Sequence, residues 1–353
     1  MPPRDPIADL GRIAFLLERA HEPSFRVKAF RTAARVLEAL AAEEIAERAR
    51  AGTLTALSGV GDVTSRCVTE SLAGEVPVYL RRLEATEQQP LDEATAALRQ
   101  ALRGDCHTHS DWSDGGSPIA QMAETARELG HEYLVLTDHS PRLTVARGLS
   151  AERLEQQLDV VAELNETLAA EAAAGAAPLR ILTGIEVDIL EDGSLDQKPS
   201  LLKRLDLVVA SLHSKLKMPS EQMTARMVAA VSNPHADVLG HCTGRLLTGE
   251  RGKRAESQFD AEVVFAACAR FGVAVEINSR PERLDPPKRL MRLAVEAGCL
   301  LSIDTDAHAP GQLDWQHFGC ERAARCGVEV DNVVNAWPVD QLLSWTADHT
   351  SRP

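Results

Sequence analysis

The 353 residues carry 44% hydrophobic and 25% charged side chains, the proportions of a soluble globular protein of two domains, or of one large domain with an appendage. No apolar run reaches the roughly 18 residues of a membrane helix, and the opening stretch MPPRDPIADLGRIAFLLERA lacks the apolar centre of a signal peptide. The formal net charge of −14 excludes nucleic-acid binding through a generally basic surface, and the 7 scattered cysteines, with no Cys-x-x-Cys pair, exclude a disulfide framework and point to a reducing cytoplasm.

In chain order, residues 6–50 are expected to be helical, because apolar residues recur at helical spacing in IADLGRIAFLLERA and FRVKAFRTAARVLEAL. LSGVGDVTSRCVTESLAGEV follows, a Gly59-Val60-Gly61 turn between two helical segments. Residues 84–100 are polar and Ala-rich and read as a linker. The division is a helical domain over 1–90, a linker over 91–103 and an α/β domain over 104–345. Residues 1–90 hold 12 Lys+Arg against 13 Asp+Glu, so about −13 of the net charge lies in the remainder.

From residue 104 short apolar strands alternate with helical stretches: DCHTH (105–109), YLVLTDH (133–139), RILTGIEVDIL (180–190), LDLVVASLH (205–213), DVLGHC (237–242), VAVEINS (273–279) and LLSIDTDAH (300–308). This alternation predicts parallel βα units. Seven units in this length favour a closed α/β barrel; a doubly wound sheet is the alternative.

Each strand ends in a polar or ionisable residue, and in α/β barrels the C-terminal strand ends form the active face. Gathered there are His107, His109, His139, Glu186, His213, His241, Glu276, Asp306 and His308, with Asp114 just beyond the first strand. The set holds six of the 11 histidines; His21, His131, His235, His317 and His349 lie elsewhere. His107 and His109 stand at i and i+2, so both side chains face one way, and Asp306 and His308 repeat the arrangement. If first and last strands are neighbours, the two pairs meet. Imidazole with carboxylate suits zinc, manganese or iron. Alone, His213 or His241 would read as a hydrogen-bonded core histidine, and Glu186 as a strand-end charge in water. A buried glutamate in so apolar a strand, however, requires a cation. Asp138 faces away from His139 and is expected to assist catalysis by orienting a ligand. Asp188 is expected to reach solvent. Cys106 alternates away from the ligands and is expected to pack.

The motifs CHTHSDWSDG, LTDHS, GIEVD, ASLHS, LGHCTGR, EINSRPERLD and SIDTDAH, in this order over roughly residues 103–340, resemble those of the PHP (polymerase and histidinol phosphatase) family. The resemblance implies a distorted (β/α)7 barrel with three divalent metal ions. His107, His109, Glu186 and Asp306 would hold one ion. Glu186, bridging, with His213 and His241 would hold the second, and Asp114, His139 and His308 the third. It implies phosphoester hydrolysis, with Arg245, Lys215, Arg280 and Arg283 as candidates to bind the phosphate and Arg245 and Lys215 also as candidates in catalysis. Each of the four reads equally well as a surface residue. No Gly-x-Ser-x-Gly elbow, P-loop or Gly-x-Gly-x-x-Gly competes.

The N-terminal segment resembles a helix-hairpin-helix, and residues 6–84 the small DNA-end-binding domain of family X DNA polymerases. In that motif the Gly59-Val60-Gly61 turn presents backbone N–H groups to a DNA phosphate. The interval from Gly59 to Gly104 is too short for polymerase fingers and palm, so no polymerisation is expected. No lysine follows the hairpin before Lys198, so no deoxyribose-phosphate lyase activity is expected either. A helical cap used for packing or dimerisation is the alternative to DNA binding. Three functions remain open: hydrolysis at DNA ends as a 3′–5′ exonuclease or 3′-phosphatase, hydrolysis of small phosphomonoesters such as histidinol phosphate, and non-catalytic DNA binding.

Overall fold

The computed structural model describes residues 2–85, 91–249 and 252–348. The chain divides into two compact units, Met1–Pro90 and Leu91–Pro353.

The first unit is helical: Pro6–Arg19, Ser24–Glu38, Ala42–Ala51, Asp62–Leu72 and Val78–Glu84. Asp5 caps the first helix by accepting from the Ile7 amide at 2.8 Å, with Pro6 at the first helical position. Its stripe of Leu10, Ile13, Ala14 and Leu17 is fully buried, against Phe30, Leu37, Val68 and Leu80. Gly59 has φ +94°, and a Cβ there would lie 2.7 Å from Thr32 Cγ2, so both conformation and packing demand glycine.

The hairpin turn differs from its expected form. Val60 is buried in the core of this unit, and its amide donates to Leu57 O at 3.1 Å. The Gly61 amide donates to Thr64 Oγ1 at 2.9 Å. Neither N–H is therefore open to a phosphate. Helix geometry instead leaves the first-turn amides, at 62–64, for an outside acceptor, beside the exposed Asp62 carboxylate.

The second unit is a seven-stranded parallel barrel, β1 (Gly104–Thr108), β2 (Tyr133–Leu136), β3 (Arg180–Asp188), β4 (Leu207–Ser211), β5 (Val238–Leu239), β6 (Ala274–Asn278) and β7 (Leu301–Asp304), paired in sequence order. The order is sequential and the first strand meets the last: Thr108 bridges Ala307, and the His109 amide donates to Ala307 O at 2.8 Å. A doubly wound sheet is thereby excluded. The strands are buried along nearly their whole length, as expected where helices cover the outside. At Gly240 a Cβ would lie 2.2 Å from Ser211 Oγ, so glycine lets β5 close against β4 immediately before His241.

The stretch expected as a linker is corrected in part. Residues 86–90 lie outside the described residues, but Glu93–Ala101 is a helix capped by Asp92, which accepts from the Thr95 amide at 3.0 Å. Leu98 and Leu102 bury into the barrel's core, one helical turn apart. The segment is the barrel unit's first helix.

Candidate metal centre

Glu186, near the end of β3, is the hub. Its carboxylate is 1% exposed. Oε1 lies 2.9 Å from His241 Nε2, 3.3 Å from His213 Nε2 and 3.4 Å from His107 Nε2; Oε2 lies 2.7 Å from His139 Nδ1 and 3.7 Å from His109 Nε2. His109 Nε2 lies 3.4 Å from Asp306 Oδ1. Asp114 Oδ1 stands 3.4 Å from His139 Nε2 and 3.3 Å from His308 Nε2. Asp306 adopts a left-handed φ of +54°, strain typical of a functional position.

The donor atoms form four overlapping groups: His107, His109 and Asp306; His107, Glu186 and His241; His139, Glu186 and His213; and His109, Asp114, His139 and His308. All nine expected ligands meet here. Both oxygens of Glu186, both ring nitrogens of His109, His213 and His241, Nε2 of His107 and Nδ1 of His139 are buried without a hydrogen-bond partner. Polar atoms are rarely left so, and this donor set is the one divalent cations take. The residues fit a bound metal.

Against burial, Glu276 and Glu186 push His107 well up, and Glu186 and Asp188 push His213 up to about 9, positive charge that a bound cation would replace. Burial alone would raise the Glu186 carboxyl, but His213, His107 and His139 hold it well below its usual range. Burial would likewise raise Asp306, which His109, Arg280 and Arg283 hold down. Burial, with His308 and His139, drives His109 well below its usual value and leaves it neutral, as a ligand must be.

The ligands are held from behind. His107 Nδ1 lies 2.6 Å from Glu276 Oε1, which leaves Nε2 facing Glu186. Glu276 Oε2 also accepts from the His241 amide. A carboxylate behind a ligating imidazole fixes its tautomer. Asp188 corrects an expectation: it is 2% exposed rather than solvated, accepts from the His213 amide at 3.2 Å and lies 3.4 Å from His213 Nδ1. Below these, Asp105 accepts from the His107 amide at 3.1 Å and from Thr305 Oγ1 at 2.5 Å, and burial pushes its carboxyl up to about 7. Sequence reasoning missed the supporting parts of Glu276, Asp188 and Asp105. Their signal was only that they are acidic residues within two or three positions of a ligand on the chain or an adjacent strand.

Asp138 reaches the ligands only through the loop that carries Asp114. It contacts no ligand side chain through its hydrogen bonds. Oδ1 accepts from the Ser110 amide at 2.9 Å and Ser113 Oγ at 2.5 Å; Oδ2 accepts from Ser110 Oγ at 2.6 Å and Gln157 Nε2 at 2.7 Å. It staples the loop between His109 and Asp114. Arg147 and Arg153 grip the same loop by donating to Ser113 O and Trp112 O.

The four cations separate. Arg280 Nη1 lies 3.1 Å from His308 Nδ1 and 3.6 Å from Asp306 Oδ1; Arg283 Nε lies 3.1 Å from Asp306 Oδ2. Both belong to the centre. Arg245 does not reach it: Nε donates to Arg283 O at 3.0 Å, Nη2 donates to Leu284 O, and Nη1 faces Glu256 at 3.4 Å. The loop after β5 turns its side chain toward these carbonyls. Lys215, with φ +53°, points outward, its side chain 61% exposed and Nζ 3.8 Å from Glu191. Cys106 is fully buried among Tyr133, Val135 and Leu182, as expected of a packing residue.

Residues 105–280 match the PHP domain, and residues 1–76 match a helix-hairpin-helix domain. The DNA polymerase/3′-5′ exonuclease PolX of Bacillus subtilis (strain 168) is 39% identical over 235 residues, 67% of this chain but 39% of that protein's length. A probable phosphatase of Thermoanaerobacter sp. (strain X514) is 28% identical over 242 residues, 65% of this chain and 89% of that protein. A solved structure of histidinol phosphate phosphatase from Lactococcus lactis, complexed with zinc, L-histidinol and phosphate, aligns at 17% identity over 64% of this chain and 94% of that one, with a TM-score of 0.44. Among the described residues no helix is long and apolar enough to cross a membrane. The chain therefore carries a PHP domain, preceded by a helix-hairpin-helix domain.

Proposed function

We propose that the chain hydrolyses phosphoesters at DNA ends, as a 3′–5′ exonuclease or 3′-phosphatase, using three divalent ions of zinc, manganese or iron. The observation that carries the hydrolytic reading is the set of unpartnered, buried imidazole and carboxylate atoms around Glu186. His107, His109, Glu186 and Asp306 would hold one ion, Glu186, His213 and His241 a second, and Asp114, His139 and His308 a third. Bound there, the ions would polarise a phosphoryl oxygen and offset charge on the leaving oxygen.

The chain's own residues supply orientation. Glu276 holds the His107 ring and Asp188 the His213 backbone amide, and each histidine turns Nε2 toward Glu186. Asp138 keeps Asp114 in reach of His139 and His308 through the 110–113 loop. Arg280 and Arg283 keep Asp306 ionised and are the cations best placed to meet a phosphate at the centre.

The DNA arm rests on the helix-hairpin-helix domain and on the similarity to the polymerase/exonuclease. The first-turn amides at 62–64 would meet a DNA phosphate, with the Gly59-Val60-Gly61 turn shaping their approach. Hydrolysis of small phosphomonoesters is the second reading, favoured by the acidic barrel and by a phosphatase relative matched over most of its length. Seven free, buried cysteines fit a reducing cytoplasm.

The test is turnover by the full chain, loaded with Mn²⁺ or Zn²⁺, of an aryl phosphate, histidinol phosphate, and 3′-recessed and 3′-phosphorylated duplexes. The proposal expects duplex turnover that drops when residues 1–90 are removed, with aryl phosphate turnover retained. Turnover of histidinol phosphate alone would establish the second reading instead. No turnover of any substrate with the ions bound would refute both.

A further inference from the structure

A concavity with four cations in a partly apolar wall lies outside the metal centre. It is a cavity of about 390 Å³ between the loops that follow β5 and β6 and the helix Gln316–Ala324. Arg245, Lys288, Arg322 and Arg325 line it against a single carboxylate, Glu321. Glu321 is already engaged, with Arg325 Nη2 2.5 Å from its Oε1. Arg245 is held by Glu256 and two backbone carbonyls. Arg322 is 7% exposed; its Nη2 donates to Pro286 O, and its Nη1 has no partner. Burial, and then the charge of Arg245, push the Arg322 guanidinium down to about 10. A buried guanidinium with unused donors beside a second one is costly, and this concentration of positive charge stands out in a chain of net charge −14.

We propose that this cavity binds a phosphate-class anion, held by Arg322 and Arg245 from the wall and by the half-buried Lys288 and exposed Arg325. Guanidinium groups suit this ligand because their planar forks match its oxygens. The cavity borders the metal centre through one peptide: Leu284 lines it, while its neighbour Arg283 lies 3.1 Å from Asp306. Two sources supply that chemistry. One is a non-scissile phosphate of a bound strand, which rests on the proposed action at DNA ends; the other is free orthophosphate.

The experiment compares the Mn²⁺-loaded full chain with Lys288→Glu/Arg325→Glu, and with Arg325→Glu alone, whose exposed position leaves the fold intact. Equilibrium dialysis counts inorganic phosphate bound per chain. The double variant is expected to lose one equivalent while its aryl phosphate KM stays within about twofold of wild type. A duplex KM raised about tenfold or more identifies the strand phosphate; an unchanged duplex KM with the equivalent still lost identifies free orthophosphate. Equal phosphate counts in wild type and double variant overturn the proposal, whatever the turnover. Absence of turnover in the wild type, with the difference in phosphate count intact, removes the proposed function and leaves the anion site standing.

Discussion

Glu276→Gln isolates the support behind one ligand. The carboxylate is fully buried; Oε1 is 2.6 Å from His107 Nδ1, and Oε2 accepts from the His241 amide and, at 3.3 Å, from Asn278 Nδ2. Glutamine has the same shape but one end that donates. If its NH₂ faces His107, Nδ1 must accept, the proton moves to Nε2, and the nitrogen that faces Glu186 can no longer ligate. If its NH₂ faces the other way, it meets the N–H donors of His241 and Asn278. Either arrangement loses a charge-assisted hydrogen bond at a fully buried position. Carboxylates behind metal-binding histidines are worth about 10–100-fold in metal affinity, or roughly 1.4–2.8 kcal/mol. The assay is a competition titration of the full chain with a chromogenic chelator, beside circular dichroism to confirm the fold. A variant that keeps its fold and binds metal within twofold of wild type would show that Glu276 does not set the His107 tautomer.

Asp138→Asn turns one acceptor of the 110–113 loop into a donor facing Gln157 or the serines, at a cost of about 1–3 kcal/mol; elemental analysis should show lowered metal occupancy, with loss centred on the Asp114, His139 and His308 group. Chelation should lower the thermal midpoint of the full chain, since ions that bind only the folded state at a hundredfold above Kd stabilise it by about 2.7 kcal/mol; an unchanged midpoint would show that no ion supports the fold. His131, 2% exposed, is pushed by burial and then by Arg99 down to about 3 from its ordinary 6.5. Between those values the unfolded chain binds the proton and the folded chain does not, so stability falls as pH drops from 6.5 toward 3. His131→Leu should therefore lose less stability than wild type between pH 7 and 5, by roughly 2 kcal/mol, in urea titrations at the two pH values.

The ligands were legible because barrel chemistry collects at strand ends, so the period-2 placement of His107 and His109, and of Asp306 and His308, already aimed them at one point. The barrel was legible for the related reason that strands buried on both faces read as apolar runs between helical stretches. Glu276 and Asp188 were not legible as supports, because their partners lie on other strands and only register brings them together. Arg245 was misplaced because nothing in the local sequence after β5 says which way that loop turns. The helix Glu93–Ala101 was hidden by its polar composition: only Leu98 and Leu102 mark its buried face. The Gly59-Val60-Gly61 turn was legible as a turn, but the Val60 and Gly61 amides were spent within the fold on partners, Leu57 O and Thr64 Oγ1, that spacing does not disclose.

The cluster around Glu186 is proposed as a metal centre that hydrolyses phosphoesters. Its most direct test is the rate of aryl phosphate hydrolysis by the Mn²⁺-loaded full chain beside Glu186→Gln, with folding verified for both. Glu186 lies within 3.7 Å of five histidines, so the wild type should turn over and the variant should be slowed about a hundredfold or more. A folded Glu186→Gln chain with wild-type turnover would contradict it.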